Sequence, residues 1–184
     1  IAFNSNYNNY TYMYYTNSEA KTQLESWYQT NIGSKADLAK NVASGAYYCE
    51  QAKAKLDSSC TSGNANMTLY SSYTPDFKCT TDGNGKGRVN ASVGLLTYDE
   101  VVYAGGYYGQ NNSSYYLYNS SIDLWTMSPG GFSGSASNVW NVYTTGGIYT
   151  NNVHDTNRLR PVLILNADTL VTGTGTSSDP FVIS

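Results

Sequence analysis

The chain is poor in charged residues and in long apolar runs. Asp, Glu, Lys and Arg make up 12% of its 184 residues, about half the usual share of a globular protein. The ten Lys and Arg residues form no basic run and the net charge is −3, which argues against a nucleic-acid partner. No apolar run reaches the length of a membrane span, so we expect no span in this chain.

Charge is replaced by neutral polar groups. Asn, Ser, Thr, Gly and 19 Tyr carry most of the polarity, and this composition is typical of proteins that work outside the cell or on its surface. The chain starts without Met and shows no signal peptide. We therefore expect a processed mature form or a piece of a larger protein.

Cysteine and histidine are also scarce. With one His and no CxxC pair, a zinc site is not expected, and we predict no cofactor beyond weak calcium binding at oxygen-rich loops. The three cysteines cannot all pair within the chain. We favour a Cys49–Cys79 disulfide, because both residues flank an irregular Gly/Ser-rich stretch. Cys49–Cys60 is the next possibility, and three unpaired thiols remain open.

The first part of the chain predicts helices. Residues 1–17 are rich in Asn and Tyr and indicate a strand or an extended arm, followed by a single domain over 18–184. A helix is predicted with Asn17 or Ser18 as its N-cap, Glu19 in its first turn and its end at Ile32-Gly33. Its expected apolar stripe is Ala20, Leu24, Trp27 and Tyr28. A second helix is predicted over 35–42.

The second part predicts short strands. Thr97 and Glu100 form a capping box that starts a helix ending at Ala104. Strands are expected at 93–96, 123–128, 161–165, 169–172 and 180–183, and a hairpin joins 138–143 to 148–153. Two early helices, many late strands and long irregular connections indicate the α+β class.

The segment 135–162 is the best candidate for a ligand-binding surface. Val139, Val142, Ile148, Val153 and Leu159 can anchor a small sheet, while the residues between them are polar or aromatic and have little packing reason to be there. Trp140 fits the core and the ligand face equally well. The predicted ligand-binding residues are Asn138, Trp140, Asn141, Tyr143, Thr144, Tyr149, Asn151, Asn152, His154, Asp155 and Asn157.

Several motifs resemble one family of bacterial surface proteins. They read FKC (77–79), GLLTYDEVVYAGG (94–106), LWTMSPGGF (124–132), RPVLILN (160–166) and GTGTSSDPFVI (173–183). Their order resembles proteins with a C-type-lectin-like fold, in the branch of the formylglycine-generating enzymes, which includes variable proteins of diversity-generating retroelements.

The resemblance implies two helices packed on small twisted antiparallel sheets with long irregular loops. In variable members of the family, mutable positions lie just before the RPV-like strand. Mutated Asn codons there yield Asn, Tyr, Ser, Thr, Asp, His and Gly, which is the mixture found at 135–157. The calcium-holding EPN and QPD motifs of sugar-binding relatives are missing, and Trp140-Asn141-Val142 lacks the carboxylate of WND.

The function predicted from these residues is extracellular recognition of a protein or glycan on another cell or particle, as an adhesin or receptor-binding module. An alternative is a structural subunit of a filament, in which the arm at 1–17 pairs with a neighbouring copy. An enzyme is not expected. No Cys follows Cys79, and His154 and Asp155 would point to opposite faces of a strand.

Overall fold

The computed structural model of the chain describes residues 1–50, 55–56, 65–66, 75, 77–79, 86–133, 135–176 and 178–183. Within these ranges the chain combines short helices with small antiparallel sheets, an α+β arrangement. The helices are α1 (Glu19–Tyr28), α2 (Ala36–Ala39) and α3 (Tyr98–Tyr103), with 3₁₀ turns at Tyr10–Met13 and Tyr15–Asn17 and a π-helical turn at Gln29–Gly33. The strands are β1 (Tyr47–Glu50), β2 (Lys55–Leu56), β3 (Ala65–Asn66), β4 (Gly87–Asn90), β5 (Leu124–Ser133), β6 (Ala136–Val142), β7 (Ile148–Asn152), β8 (Val171–Thr172) and β9 (Val182–Ile183).

Helix α1 begins where the sequence predicts. The Ser18 hydroxyl accepts a hydrogen bond from the backbone N–H of Lys21 at 3.0 Å, which satisfies one of the free amides at the helix start. Trp27, expected in the apolar stripe, is 39% exposed, because it lies at the edge of the stripe, about 60° around the helix from Leu24 at its centre. The buried stripe consists of Ala20, Leu24 and Tyr28.

The prediction of a strand or an extended arm at residues 1–17 is wrong. The segment forms the two 3₁₀ turns and enters the core, where the Phe3 ring meets the edge of Trp125 at 5.7 Å. Backbone hydrogen bonds hold it in place, from Asn4 N to Val153 O and from the Ile1 amino group to Asn157 O. The buried side chains of this segment include Phe3, Met13, Tyr14 and Tyr15.

Four other predicted elements differ in the structure. The expected strand at 93–96 is reduced to an isolated bridge at Gly94, and β5 does not stop at 128 but runs on to Ser133. Helix α2 is a single turn and does not extend over 35–42. The segment 161–165 is no strand, because among the described residues Val162 pairs only with Gly94 and Leu165 only with Val42. Since each partner belongs to a different part of the chain, no continuous ladder forms, and Leu165 remains partly exposed.

A three-stranded sheet in the order β5–β6–β7 lies at the centre. The predicted hairpin is confirmed, with Asn138 opposite Asn152 and Val142 opposite Ile148. Alternating residues point to opposite faces. We call the side bearing Val139 the N-terminal face, since it packs in one core cluster with Phe3 and Trp125. The side bearing Trp140, Val142 and Ile148 is the helix face, because it packs in a second cluster with α3.

Helix α3 is fixed by the predicted capping box. The Thr97 hydroxyl accepts from the Glu100 N–H at 3.2 Å, and the Glu100 carboxylate accepts from the Thr97 N–H at 2.7 Å. Tyr98, Val101 and Val102 are thereby set against the helix face of the sheet. Both faces of the sheet are therefore covered.

The Cys49–Cys79 disulfide is confirmed. The two residues are 30 apart in sequence, and their Cα atoms lie 5.1 Å apart. Cys49 belongs to β1, which pairs with β4 in register Cys49 to Arg88. Cys60 lies outside the described residues.

Candidate functional site

The structure removes Trp140, Asn141 and Asn157 from the predicted binding surface. Their side chains are 1%, 0% and 4% exposed, so they lie in the interior and contact no external partner. Residues along β6 alternate between the two faces of the sheet as predicted. Other parts of the chain cover both faces, however, so residues on each face are buried.

Trp140 belongs to the helix face. Its ring contacts Tyr98 at 4.7 Å and Tyr108 at 5.5 Å between ring centroids. The alternative that assigned Trp140 to the core is the one observed.

Asn141 lies in the middle of the N-terminal face. Its direct cross-strand neighbours are Trp125 on β5 and Tyr149 on β7. Neither the oxygen nor the nitrogen of its side-chain amide finds a hydrogen-bond partner among the described residues, and the same holds for the Asn157 amide nitrogen. Burying such groups unpaired is costly, so the amides are poorly explained by packing alone.

The other candidates are at least partly exposed, but they do not share one surface. Asn138 and Asn152 pair across β6 and β7 and lie on the helix face by register. Tyr149 and Asn151 alternate with them and lie on the N-terminal face. The predicted single surface is therefore divided by the sheet.

The members that come together form what we call the tyrosine patch, defined as Asp123, Tyr143, Tyr149, Asn151 and Asp155. The Tyr143 and Tyr149 rings meet edge to face, with centroids 4.8 Å apart. The Tyr143 hydroxyl donates to Asn151 Oδ1 at 3.4 Å. Asp123 joins them through Oδ1, which accepts from the Thr144 N–H at 2.6 Å.

The electrostatics of the patch keep its phenol protonated. Burial raises the pKa of Tyr143, and the negative charges of Asp123 and Asp155 raise that pKa further. At neutral pH the hydroxyl is therefore a hydrogen-bond donor. The two carboxylates supply acceptors beside it, and the two rings supply flat apolar surface.

His154 extends the patch in a way that the sequence did not reveal. It lies in the turn after β7, so His154 Nε2 and Asp155 Oδ1 are 3.8 Å apart instead of pointing to opposite faces. The Tyr7 ring lies 4.3 Å from the His154 ring. Tyr7 and Asp123 were both missed, because only the folding of distant segments brings them to this surface.

No group of three or more His, Cys, Asp or Glu side chains is placed to hold a metal ion in the described part of the chain. None of the helices described is long and apolar enough to cross a membrane. Comparisons with family models, curated proteins and solved structures found no match for the chain. The resemblance to C-type-lectin-like surface proteins therefore stays a prediction.

Proposed function

We propose that the protein is an extracellular recognition module that binds a protein or glycan ligand through the tyrosine patch. The observation that carries this proposal is the edge-to-face pair of Tyr143 and Tyr149, which is partly exposed beside sheet positions that belong to the core. Tyrosine offers large rigid contact area and a hydroxyl at little entropic cost. Beside the pair lie the acceptors Asp123 and Asp155, which orient a partner's donors.

The proposed setting is the cell surface or the extracellular space. The disulfide between Cys49 and Cys79 supports it, since such bonds persist mainly in oxidising compartments. We also propose the C-type-lectin-like fold, supported by the motifs at 94–106 and 124–132 and by the mixture of short helices with small sheets. No catalytic role is part of the proposal.

Retroelement-driven diversification is a separate part of the proposal. The partly exposed Tyr143, Tyr149, Asn151 and Asp155 are the positions at which variation would change the patch without disturbing the core. The neighbouring DNA tests the idea. A reverse-transcriptase gene and a near-copy of the sequence encoding 135–157 support it, and a locus with neither contradicts it.

The binding proposal is tested with a double variant, Tyr143→Ala with Tyr149→Ala. The matched control is Tyr103→Ala with Tyr116→Ala, because those rings are 77% and 73% exposed and lie outside the patch. Both proteins are screened against a glycan microarray and a phage-displayed peptide library, and their folding is compared by circular dichroism.

We expect ligands selected on the unaltered chain to bind the control variant and to show no binding to the patch variant. Tyr143→Phe keeps the ring and removes only the hydroxyl, so it gives a second readout if the double variant is unstable. Equal binding by a folded patch variant, or no selected ligand at all, would overturn the proposal.

A further inference from the structure

A second concave site lies away from the tyrosine patch. It is a cleft of about 570 Å³ between helix α1, the turn at 43–46 and the end of strand β4. This volume falls within the range of about 300–1,000 Å³ that small-ligand sites occupy. Gly45 allows the turn, since its φ is +73°, and a side chain at this position would meet open space.

The charges in the cleft are balanced. Lys21 and Glu25, one turn apart on α1, lie 3.9 Å apart, and the Glu25 carboxylate also accepts the Ser92 N–H at 3.0 Å. Among the residues that the structure describes, no other charged residue lines the cleft. An ionic ligand would have to separate this pair, whereas a neutral ligand leaves it intact.

Several residues with neutral polar groups line the cleft and have hydrogen-bonding capacity to spare. The Tyr28 hydroxyl, the Asn90 amide and the Ser44 hydroxyl belong to lining residues. None of the three is bonded to a side chain or backbone group that the structure describes. Hydroxyls and an amide both donate and accept hydrogen bonds. A ligand hydroxyl can therefore bond to each of them as acceptor or as donor.

The remaining wall is made of small apolar groups. Ala39, Ala43 and Ala91 present methyl groups, and Val42 adds a mostly buried side chain. A ligand that suits this lining has a C–H face for the methyl groups and hydroxyls around its rim. Sugar rings have both.

We propose that this cleft binds a neutral saccharide of one or two rings. The site shares no residue with the tyrosine patch, so each proposal can fail while the other stands. Binding is weak, in the millimolar range, because the cleft is open and the ligand small.

The test uses the whole chain and saturation-transfer NMR. The panel contains glucose, galactose, mannose, N-acetylglucosamine, lactose and cellobiose, with free alanine as a zwitterionic probe. We expect transfer from at least one sugar and none from alanine. Amide shifts at Gly45, Ala46 and Ser92 should report the binding position.

Two variants make the result specific to the cleft. Ser44→Trp places an indole at its mouth, whereas Ser120→Trp adds the same ring to an exposed turn elsewhere. Affinity should fall at least about tenfold in the first variant and stay unchanged in the second. The outcomes that overturn the proposal are no signal from any sugar, equal binding by the folded Ser44→Trp variant, or binding of alanine alone.

Discussion

Thr16 donates two hydrogen bonds to the same carboxylate oxygen of Glu50, one from its backbone N–H at 3.2 Å and one from its hydroxyl. The Glu50 side chain is fully buried, and its other oxygen has no partner within the described chain. Burial raises the pKa of Glu50, and the bonds from Thr16 and the charge of Lys86 only partly oppose this shift. The N-terminal segment is thus tied to β1 through a buried acid whose pKa is raised.

Glu50 should make the protein less stable as the pH rises. Because the raised pKa lets the folded state hold this proton to higher pH than the unfolded chain does, the free energy of unfolding falls once the pH exceeds the usual glutamate pKa of about 4.3. The Gln side chain of the Glu50→Gln variant cannot ionise, so the free energy of unfolding of this variant should not show the fall. Urea unfolding between pH 4 and 8 measures the difference, which should grow with pH in favour of the variant.

Asp37→Asn is the control for that experiment, because Asp37 is an exposed carboxylate in the first turn of α2. Its stability should follow the unaltered protein across the same pH range. Parallel curves for Glu50→Gln and the unaltered protein would contradict the assignment.

Removing the hydroxyl of Tyr15 should destabilise the core. It donates to the Val93 carbonyl at 2.9 Å in the buried interior, and burial raises the pKa of Tyr15, so the donor stays protonated. Tyr15→Phe is expected to cost about 1–3 kcal/mol. Tyr116→Phe, at an exposed ring, should leave the chemical denaturation midpoint unchanged. A Tyr15→Phe protein as stable as this control would refute the prediction.

Loss of the Cys49–Cys79 disulfide should lower the free energy of unfolding by about 3–4 kcal/mol, since the bond closes a loop of 30 residues. The experiment compares the double variant Cys49→Ser, Cys79→Ser, which lacks the bond, with the protein that keeps it. Both proteins also carry Cys60→Ser, which prevents thiol exchange. Urea denaturation gives the difference. Equal midpoints would show that the bond contributes little to stability.

Replacing Asn141 by Val should stabilise the protein by about 1 kcal/mol, because it removes a buried amide that has no partner among the described residues. Val also suits a central strand. Asn151→Val, on the same face but partly exposed, is the matched control and should change the melting temperature little. A destabilised Asn141→Val variant would mean that the amide is hydrogen-bonded in solution.

Local chemistry made part of the fold predictable. The Ser18 cap, the Thr97–Glu100 capping box and the glycines between β6 and β7 act within a few residues, so their structural consequences could be read from neighbouring positions. The Cys49–Cys79 pairing was also predicted, from the irregular stretch between the two residues.

The candidate site was less predictable, because burial depends on distant segments. Alternation along β6 cannot show that Phe3 covers one face of the sheet while Val101 covers the other. Asn141 was therefore expected at the binding surface, and Trp140 was expected either there or in the core. Both side chains are buried. The hydrogen bond from the Thr144 N–H to Asp123 and the contact of His154 with Tyr7 have no signal in the linear order of residues.

The sequence by itself determined where the first and third helices start, where the central hairpin turns and which side chains carry polar or aromatic groups, since these depend on short-range hydrogen bonding and on side-chain chemistry. Only the tertiary structure decided which of the polar residues face solvent. That choice depends on the N-terminal segment packing over the sheet, a contact between residues more than a hundred positions apart. Such a contact is set by the shape and burial of the whole core, and no local pattern encodes it.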